Sequence, residues 1–181
     1  MRQGPFRAIL PLVLASASPR RQAILATQGL CFEVIPSSVK EPLAASGESP
    51  EDYAARMACL KGQDIAGRHP DKIVISADTI VVQGGTILGK PRNVAHALDM
   101  LASLSGGWHE VMTGFCVLHA HRQVSHCRTV TTRVHMAANT PDMLAAGVLF
   151  PPIDELRMVS REIAIAVVAH LYYTDLVPEI L

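Results

Sequence analysis

Neither sign of charge prevails in this chain. Its 181 residues carry 16 Lys plus Arg and 16 Asp plus Glu. A balanced chain offers no general basic surface for nucleic acid or for an acidic membrane. A local basic cluster can still hold a small anionic ligand. Paired cysteine motifs are also missing. Cys31, Cys59, Cys116 and Cys127 are scattered, with no C-x-x-C among them. That argues against a zinc knuckle and predicts reduced thiols in a cytosolic protein. No apolar span of about 18 residues occurs before residue 150, and the run within Met1 to Pro11 is too short for a signal peptide. The pair Gly84-Gly85 lacks the G-K-[ST] ending of a Walker A loop, so a P-loop NTPase is not expected. There is no internal repeat and no low-complexity tract. What the chain does have is 49 % apolar residues, enough to build a core and to argue against disorder.

The most informative stretch is Leu14-Ala-Ser-Ala-Ser-Pro-Arg-Arg21. The apolar run Ile9 to Leu14 reads as a buried strand, and Gln22 to Gln28 reads as a helix closed by Gly29. Between them lies a strand-to-helix turn. Ser18 suits the N-cap and Pro19 the first helical position. The unpaired N–H groups of such a turn, with Ser16, Arg20 and Arg21 beside them, form an anion site suited to phosphate. The plain alternative is an ordinary helix start with two solvated arginines.

Further on, Cys31 to Ile35 is β-prone and Val39 to Gly47 is a loop carrying Lys40 and Glu41. Ser49-Pro-Glu-Asp52 opens a second helix, with Tyr53, Met57 and Leu60 on one face and Lys61 near its edge. Lys72 to Val82 reads as a strand that Asp78 and Thr79 interrupt. An acid in such a run must be paired or must hold a metal. Gly84-Gly85 then turns a hairpin into Thr86-Ile-Leu88. Lys90 follows on a loop anchored by that strand, where functional residues often lie. Asn93 caps a helix bearing Leu98, Leu101 and Leu104. Trp108 to Met136 alternates as two strands with a bend at His119 to His121. Five of the eight histidines fall there, at no common ligand spacing, and those near the bend are expected to be solvated. Thr140-Pro-Asp142 opens one more short helix. Ile153 to Tyr173 has helical spacing, but Arg157, Arg161 and Glu162 leave it too short an apolar run to cross a membrane.

Together these residues suit one chemistry. Basic groups at Arg20, Arg21, Lys61 and Lys90 grip a polyphosphate. Acids at Glu41 and Asp78 suit Mg²⁺, which prefers oxygen ligands. A carboxylate that deprotonates water permits in-line attack on phosphorus, while cations stabilise the charge on the leaving pyrophosphate.

Leu14 to Arg21, Ala77-Asp-Thr79, Leu88-Gly-Lys-Pro91 and His109-Glu-Val-Met-Thr-Gly114 resemble the successive motifs of the Maf family, in its order and at about its spacing. The resemblance covers about residues 9 to 147. It implies an α/β fold, a mixed sheet with flanking helices and a deep cleft, related to the inosine triphosphatase fold. It also implies a cytoplasmic nucleoside triphosphate pyrophosphatase, a housecleaning enzyme that uses Mg²⁺ or Mn²⁺ and often pairs as a homodimer. Carried over, Asp78 is the proton acceptor and a metal ligand, and Glu41 helps hold the metal. Ser16, Arg20, Lys61 and Lys90 contact the phosphates. Arg20 and Thr79 match positions that separate subfamilies. The Pro-Arg-Arg form resembles the branch acting on dTTP and UTP.

From about Leu149 the pattern departs from that family. The expected Lys-Ala-Gly-Ala-Tyr-Gly-Ile-Gln-Gly type of segment has no counterpart. The reading is therefore a pyrophosphatase domain over residues 1–150 and a divergent helical tail over 151–181. The alternative function is a non-catalytic nucleotide-binding regulator or an inactive remnant.

Overall fold

The structure is a computed structural model that describes residues 8–140 and residue 142. The short strand β1 (Leu12–Leu14) leads into helix α1 (Pro19–Thr27) and then into β2 (Glu33–Val34). Helix α2 (Pro50–Arg68) follows, then the long strand β3 (Ile73–Gln83) and β4 (Thr86–Leu88). Helix α3 (Val94–Leu104) precedes β5 (Trp108–His119) and β6 (Val124–His135). The strands form one mixed sheet in the order β2-β1-β3-β5-β6, with β4 also on β3. β1 pairs in parallel with both β2 and β3. Parallel neighbours need crossover connections, and α1 and α2 supply them. β4 returns antiparallel on β3, with Val82 opposite Ile87. The turn between them needs two left-handed residues, which Gly84 and Gly85 provide at φ +56° and +80°. The mixed α/β sheet with flanking helices is the class the sequence implies.

The chain divides into two units. The first takes the described residues up to Asp78 together with Thr113–Val130. The second takes Thr79–Met112 and the described residues from Thr131 on. Each has its own core. In the first, Val13 and Ala15 of the β1 segment meet Ala58, Ile65 and Ala66 of α2, Val74 of β3 and Leu118 of β5. In the second, Val81 meets Leu101 and Leu104 of α3, Val111 and Met136.

Several local expectations change. The first strand begins at Leu12, because Ile9 is exposed. Ser18 occupies the N-cap of α1 but makes no side-chain cap; its N–H donates to Ser16 Oγ instead, at 3.3 Å. Asp78 and Thr79 do not interrupt β3, which runs unbroken through them. His119 is buried rather than solvated, and its Nδ1 accepts from the Arg122 N–H at 3.3 Å, closing the β5–β6 turn. His109 is half-buried, and its Nδ1 has no partner among the described residues. Burial and the nearby His135 hold its pKa below the ordinary histidine value. The thiols are not all reduced: Cys116 and Cys127 form a disulfide across β5 and β6. Linear spacing hid this, because neighbouring strands bring together residues 11 apart. Asp142 is helical; the rest of that helix, and the tail over 151–181, lie outside the described residues.

Helix α2 is braced on several sides. Ser49 caps it by accepting from the Asp52 N–H. Thr129 of β6 donates to the Glu51 carbonyl at 3.0 Å. Gly114 of β5 lies so close to the helix that a Cβ there would strike the Ala54 carbonyl group and the Ala55 nitrogen. On its other side α2 holds the preceding loop. Arg56 binds both Glu48 carboxylate oxygens, at 2.5 and 2.6 Å, and donates to the Leu43 carbonyl. The Arg56 hydrogen bonds, and then the Ala45 N–H, hold the Glu48 carboxyl at about 2.

Gly114→Ala forces two backbones apart and is expected to lower unfolding stability by about 3 kcal/mol. Gly67→Ala, in the same helix with open space around it, is expected to be neutral or stabilising by up to about 1 kcal/mol. Chemical denaturation of both variants checks the pair, and equal effects would refute the close approach. A depressed acid contributes stability that is present above its unfolded pKa, about 4.3, and is lost as pH falls toward the folded value. Glu48→Gln is therefore expected to flatten the acid limb of the melting-temperature curve below about pH 5. Parallel wild-type and variant curves from pH 7 into that limb would count against the Glu48–Arg56 pair.

Candidate functional site

The candidate site is built on β3. Along its first half alternate residues are buried, so Val74, Ser76 and Asp78 share the face toward α2. Val74 joins the apolar core. Ser76 is fully buried, and its Oγ donates to the Ala58 carbonyl at 2.7 Å. Asp78, only 6 % exposed, meets Lys61 one turn further along α2. Two residues along the strand match three along the helix, so one face of each element stays in step.

Lys61 is the centre of the site. Its Nζ donates to Asp78 Oδ1 at 2.6 Å and to Glu41 Oε1 at 2.7 Å. Burial works against the lysine charge, but Asp78 and Glu41 outweigh it and hold the ammonium pKa above the ordinary lysine value. Removing Lys61 would leave the Asp78 carboxylate buried without its cation, a loss of about 3 kcal/mol or more. Glu41 lies on the exposed loop before α2. That loop is fixed by the Arg56 contacts and by Tyr53, whose hydroxyl donates to the Pro42 carbonyl at 3.1 Å. Burial, and then the charges of Asp78 and Glu41, hold the Tyr53 hydroxyl above its ordinary range.

The turn after β1 reaches the neighbouring strand residue. Arg21 Nη1 donates to Ser16 Oγ at 3.0 Å and to the Ala77 carbonyl at 2.9 Å. Arg21 thus ties α1 to β3 immediately before Asp78. Ser16 is buried, and Arg20 is half-buried on the first turn of α1. The first unit therefore brings together Ser16 with Arg21, and Glu41, Lys61 and Asp78 with one another. Thr79 and Lys90 belong to the second unit. Thr79 is buried, and Lys90 is exposed just beyond β4.

The donor set suits a hard divalent cation. Two carboxylate oxygens converge on one positive nitrogen, and carboxylate oxygen is the ligand Mg²⁺ favours. No histidine joins a metal-ligating group among the described residues. Sequence reasoning missed Ser76, Tyr53, Glu48 and Arg56. Ser76 was open to discovery, because it shares the period-2 face of Asp78. The Glu48–Arg56 pair was not, because it spans a loop and a helix with no fixed spacing.

Residues 11–149 match the model of the family described as Maf-like protein. The chain is similar to the dTTP/UTP pyrophosphatase of Oleidesulfovibrio alaskensis, 47 % identical over 114 residues, or 63 % of this chain and 52 % of that one. The dTTP/UTP pyrophosphatase of Geotalea uraniireducens is 47 % identical over 124 residues, or 68 % and 63 % of the two chains. The chain thus spans between half and two thirds of the length of these relatives. A looser structural likeness joins it to the Ham1 protein of Staphylococcus aureus, with a TM-score of 0.45, 13 % identity and coverage of 70 % and 72 %. That likeness is too distant to bear on the site. The sequence match extends over most of the chain and includes every residue of the Glu41–Lys61–Asp78 cluster: the chain belongs to the family of Maf-like proteins.

Proposed function

We propose that this chain hydrolyses nucleoside triphosphates, dTTP and UTP among them, to the nucleoside monophosphate and pyrophosphate. The observation that carries the reading is the Lys61 ammonium held between Glu41 and Asp78. It combines a base, a phosphate-seeking cation and a pair of hard oxygen donors in one place. The naming of the relatives as dTTP/UTP pyrophosphatases supports the substrate class.

Asp78 accepts the proton of the attacking water. Its hydrogen bond from Lys61 fixes its direction. Lys61 exchanges a carboxylate contact for a phosphate oxygen and neutralises charge as the pyrophosphate leaves. Arg20 meets the phosphates from the first turn of α1. Arg21 holds Ser16 and the Ala77 carbonyl in place, and so positions the strand that carries Asp78. Lys90 takes the phosphate contact and Thr79 the discriminating role that the motif resemblance implies. Glu41 and Asp78 would hold the divalent cation, Mg²⁺ or Mn²⁺. When bound, it withdraws charge from the phosphate oxygens and eases water deprotonation. The same reading includes work in the cytoplasm, no nucleic-acid or membrane partner, and a homodimer as the assembled state. It treats residues 1–150 as the pyrophosphatase domain and 151–181 as a separate tail.

The full chain is expected to release pyrophosphate from dTTP and UTP with Mg²⁺, measured by a coupled pyrophosphate assay. Asp78→Asn keeps the side-chain shape but loses the base, and turnover should fall by about a hundredfold or more. A folded wild-type protein that dTTP stabilises against melting without any pyrophosphate release would overturn the enzymatic reading and favour a non-catalytic nucleotide binder. Removal of the divalent ion with a chelator should abolish turnover, with Mg²⁺ or Mn²⁺ restoring it. Undiminished activity in excess chelator would sink the metal assignment.

A further inference from the structure

A second cluster of reactive side chains lies in the first unit and plays no part in the chemistry above. The Sγ atoms of Cys59, Cys116 and Cys127 all lie within 4.8 Å of one another. Each comes from a different element: Cys59 from α2, Cys116 from β5 and Cys127 from β6. Cys116 is fully buried in the apolar core of the unit, and Cys59 and Cys127 pack against it partly buried. Cys116 and Cys127 are joined, and Cys59 is a free thiol. No other cysteine is near enough to join the group, since Cys31 is exposed and outside the cluster.

We propose that these three cysteines, once the disulfide is reduced, form a binding site for a soft thiophilic cation, with Cu(I) as the ion that fits. Around a cation with metal–sulfur bonds of about 2.3 Å, three sulfurs in a plane stand about 4 Å apart. Cys59 Sγ already lies within 4.8 Å of both other sulfurs, and the bonded pair must part by about 2 Å, a shift that side-chain rotation supplies once the covalent bond is gone. The donor set is sulfur alone. No histidine or carboxylate joins it among the described residues. Hard cations are therefore poorly served, and Zn²⁺, which favours four ligands, lacks the fourth. Cu(I) is selected by soft thiolates. The site also shares no ligand with the Glu41–Lys61–Asp78 cluster, whose oxygen donors select the opposite class of ion.

The chemistry balances in two steps. A dithiol gives two electrons and two protons to the Cys116–Cys127 bond and leaves as its own disulfide, which yields two protein thiols. Cu(I) then binds three sulfurs, the thiol protons pass to solvent, and no electron moves. Direct exchange of Cys59 with the disulfide is the competing use of the cluster. Burial pushes the Cys59 thiol above its ordinary pKa. A neutral thiol is a weak nucleophile toward a disulfide, whereas a coordinated cation removes the thiol proton outright.

The test uses the full chain carrying Cys31→Ser, which removes the exposed thiol. The protein is reduced with dithiothreitol, desalted without oxygen and titrated with Cu(I) against a coloured Cu(I) chelator. One equivalent is expected to bind, and X-ray absorption should count three sulfur neighbours. The protein with its disulfide intact should bind none. Cys59→Ala should weaken binding by more than about a hundredfold, since it removes a ligand rather than a supporting group. Cys59→Ser should do the same, and circular dichroism reports whether each variant is folded. Failure of the reduced, folded protein to bind one equivalent would overturn the site. So would undiminished binding in Cys59→Ala, equal binding by the oxidised protein, or two sulfur neighbours instead of three. Pyrophosphate release with Mg²⁺ is measured separately, so loss of that activity leaves this result standing.

Discussion

A carboxylate buried in the middle of a strand is the constraint on which the first unit depends. Asp78 lies on β3 between Ala77 and Thr79 and is almost wholly removed from water. An unpaired charge there would cost several kcal/mol. The chain answers with Lys61 at 2.6 Å. That contact fixes the rotation of α2 against β3 and draws the Glu41 loop to the same ammonium. Ser76, two residues earlier, meets the same helix with a neutral hydroxyl. The polar side of the α2–β3 packing is therefore satisfied group by group.

The helix is held on more than one side. Ala54, Ala58 and Ile65 put small and apolar surface against the sheet, and the missing side chain of Gly114 lets β5 approach the Ala54 backbone. Tyr53 and Arg56 lie to the side and grip the loop carrying Glu41. A site made of two carboxylates and one lysine needs such support. Each charge has long-range partners, and a small rotation of α2 would separate them. Arg21 does similar work from α1, with hydrogen bonds to the Ser16 hydroxyl and the Ala77 carbonyl. The two neighbouring arginines therefore differ in place: Arg21 ties the turn to the strand, while Arg20 is half-buried on the first helical turn.

The same helix separates two kinds of donor. Lys61 meets hard oxygen ligands, while Cys59, two residues earlier, turns toward the sulfurs of β5 and β6. Residues two apart on a helix point to different sides. One element can thus border an oxygen cluster and a sulfur cluster without mixing their ligands.

Much of the architecture was legible in local pattern. Ser49-Pro-Glu-Asp52 and Asn93 cap the helices they announce, because capping depends on residues three apart. Gly84-Gly85 turns the hairpin because the turn itself needs positive φ. The apolar runs of β3 show a buried strand, and the acid within it shows that a partner must exist. The identity of that partner was not local. Lys61 lies 17 residues earlier and Glu41 20 residues before that, and no spacing rule links a loop, a helix and a strand. Ser18 looked like a cap, yet the structure gives its N–H to Ser16, because the tie from Arg21 to Ala77 sets the turn. The cysteines show the same division. Their scatter suggested four free thiols, but adjacent strands place Cys116 against Cys127 and α2 adds Cys59. Sequence alone determined where helices begin, where the chain turns and that Asp78 needed a countercharge. Only the tertiary structure decided which charges and which sulfurs meet, because those contacts depend on how α2 packs on the sheet.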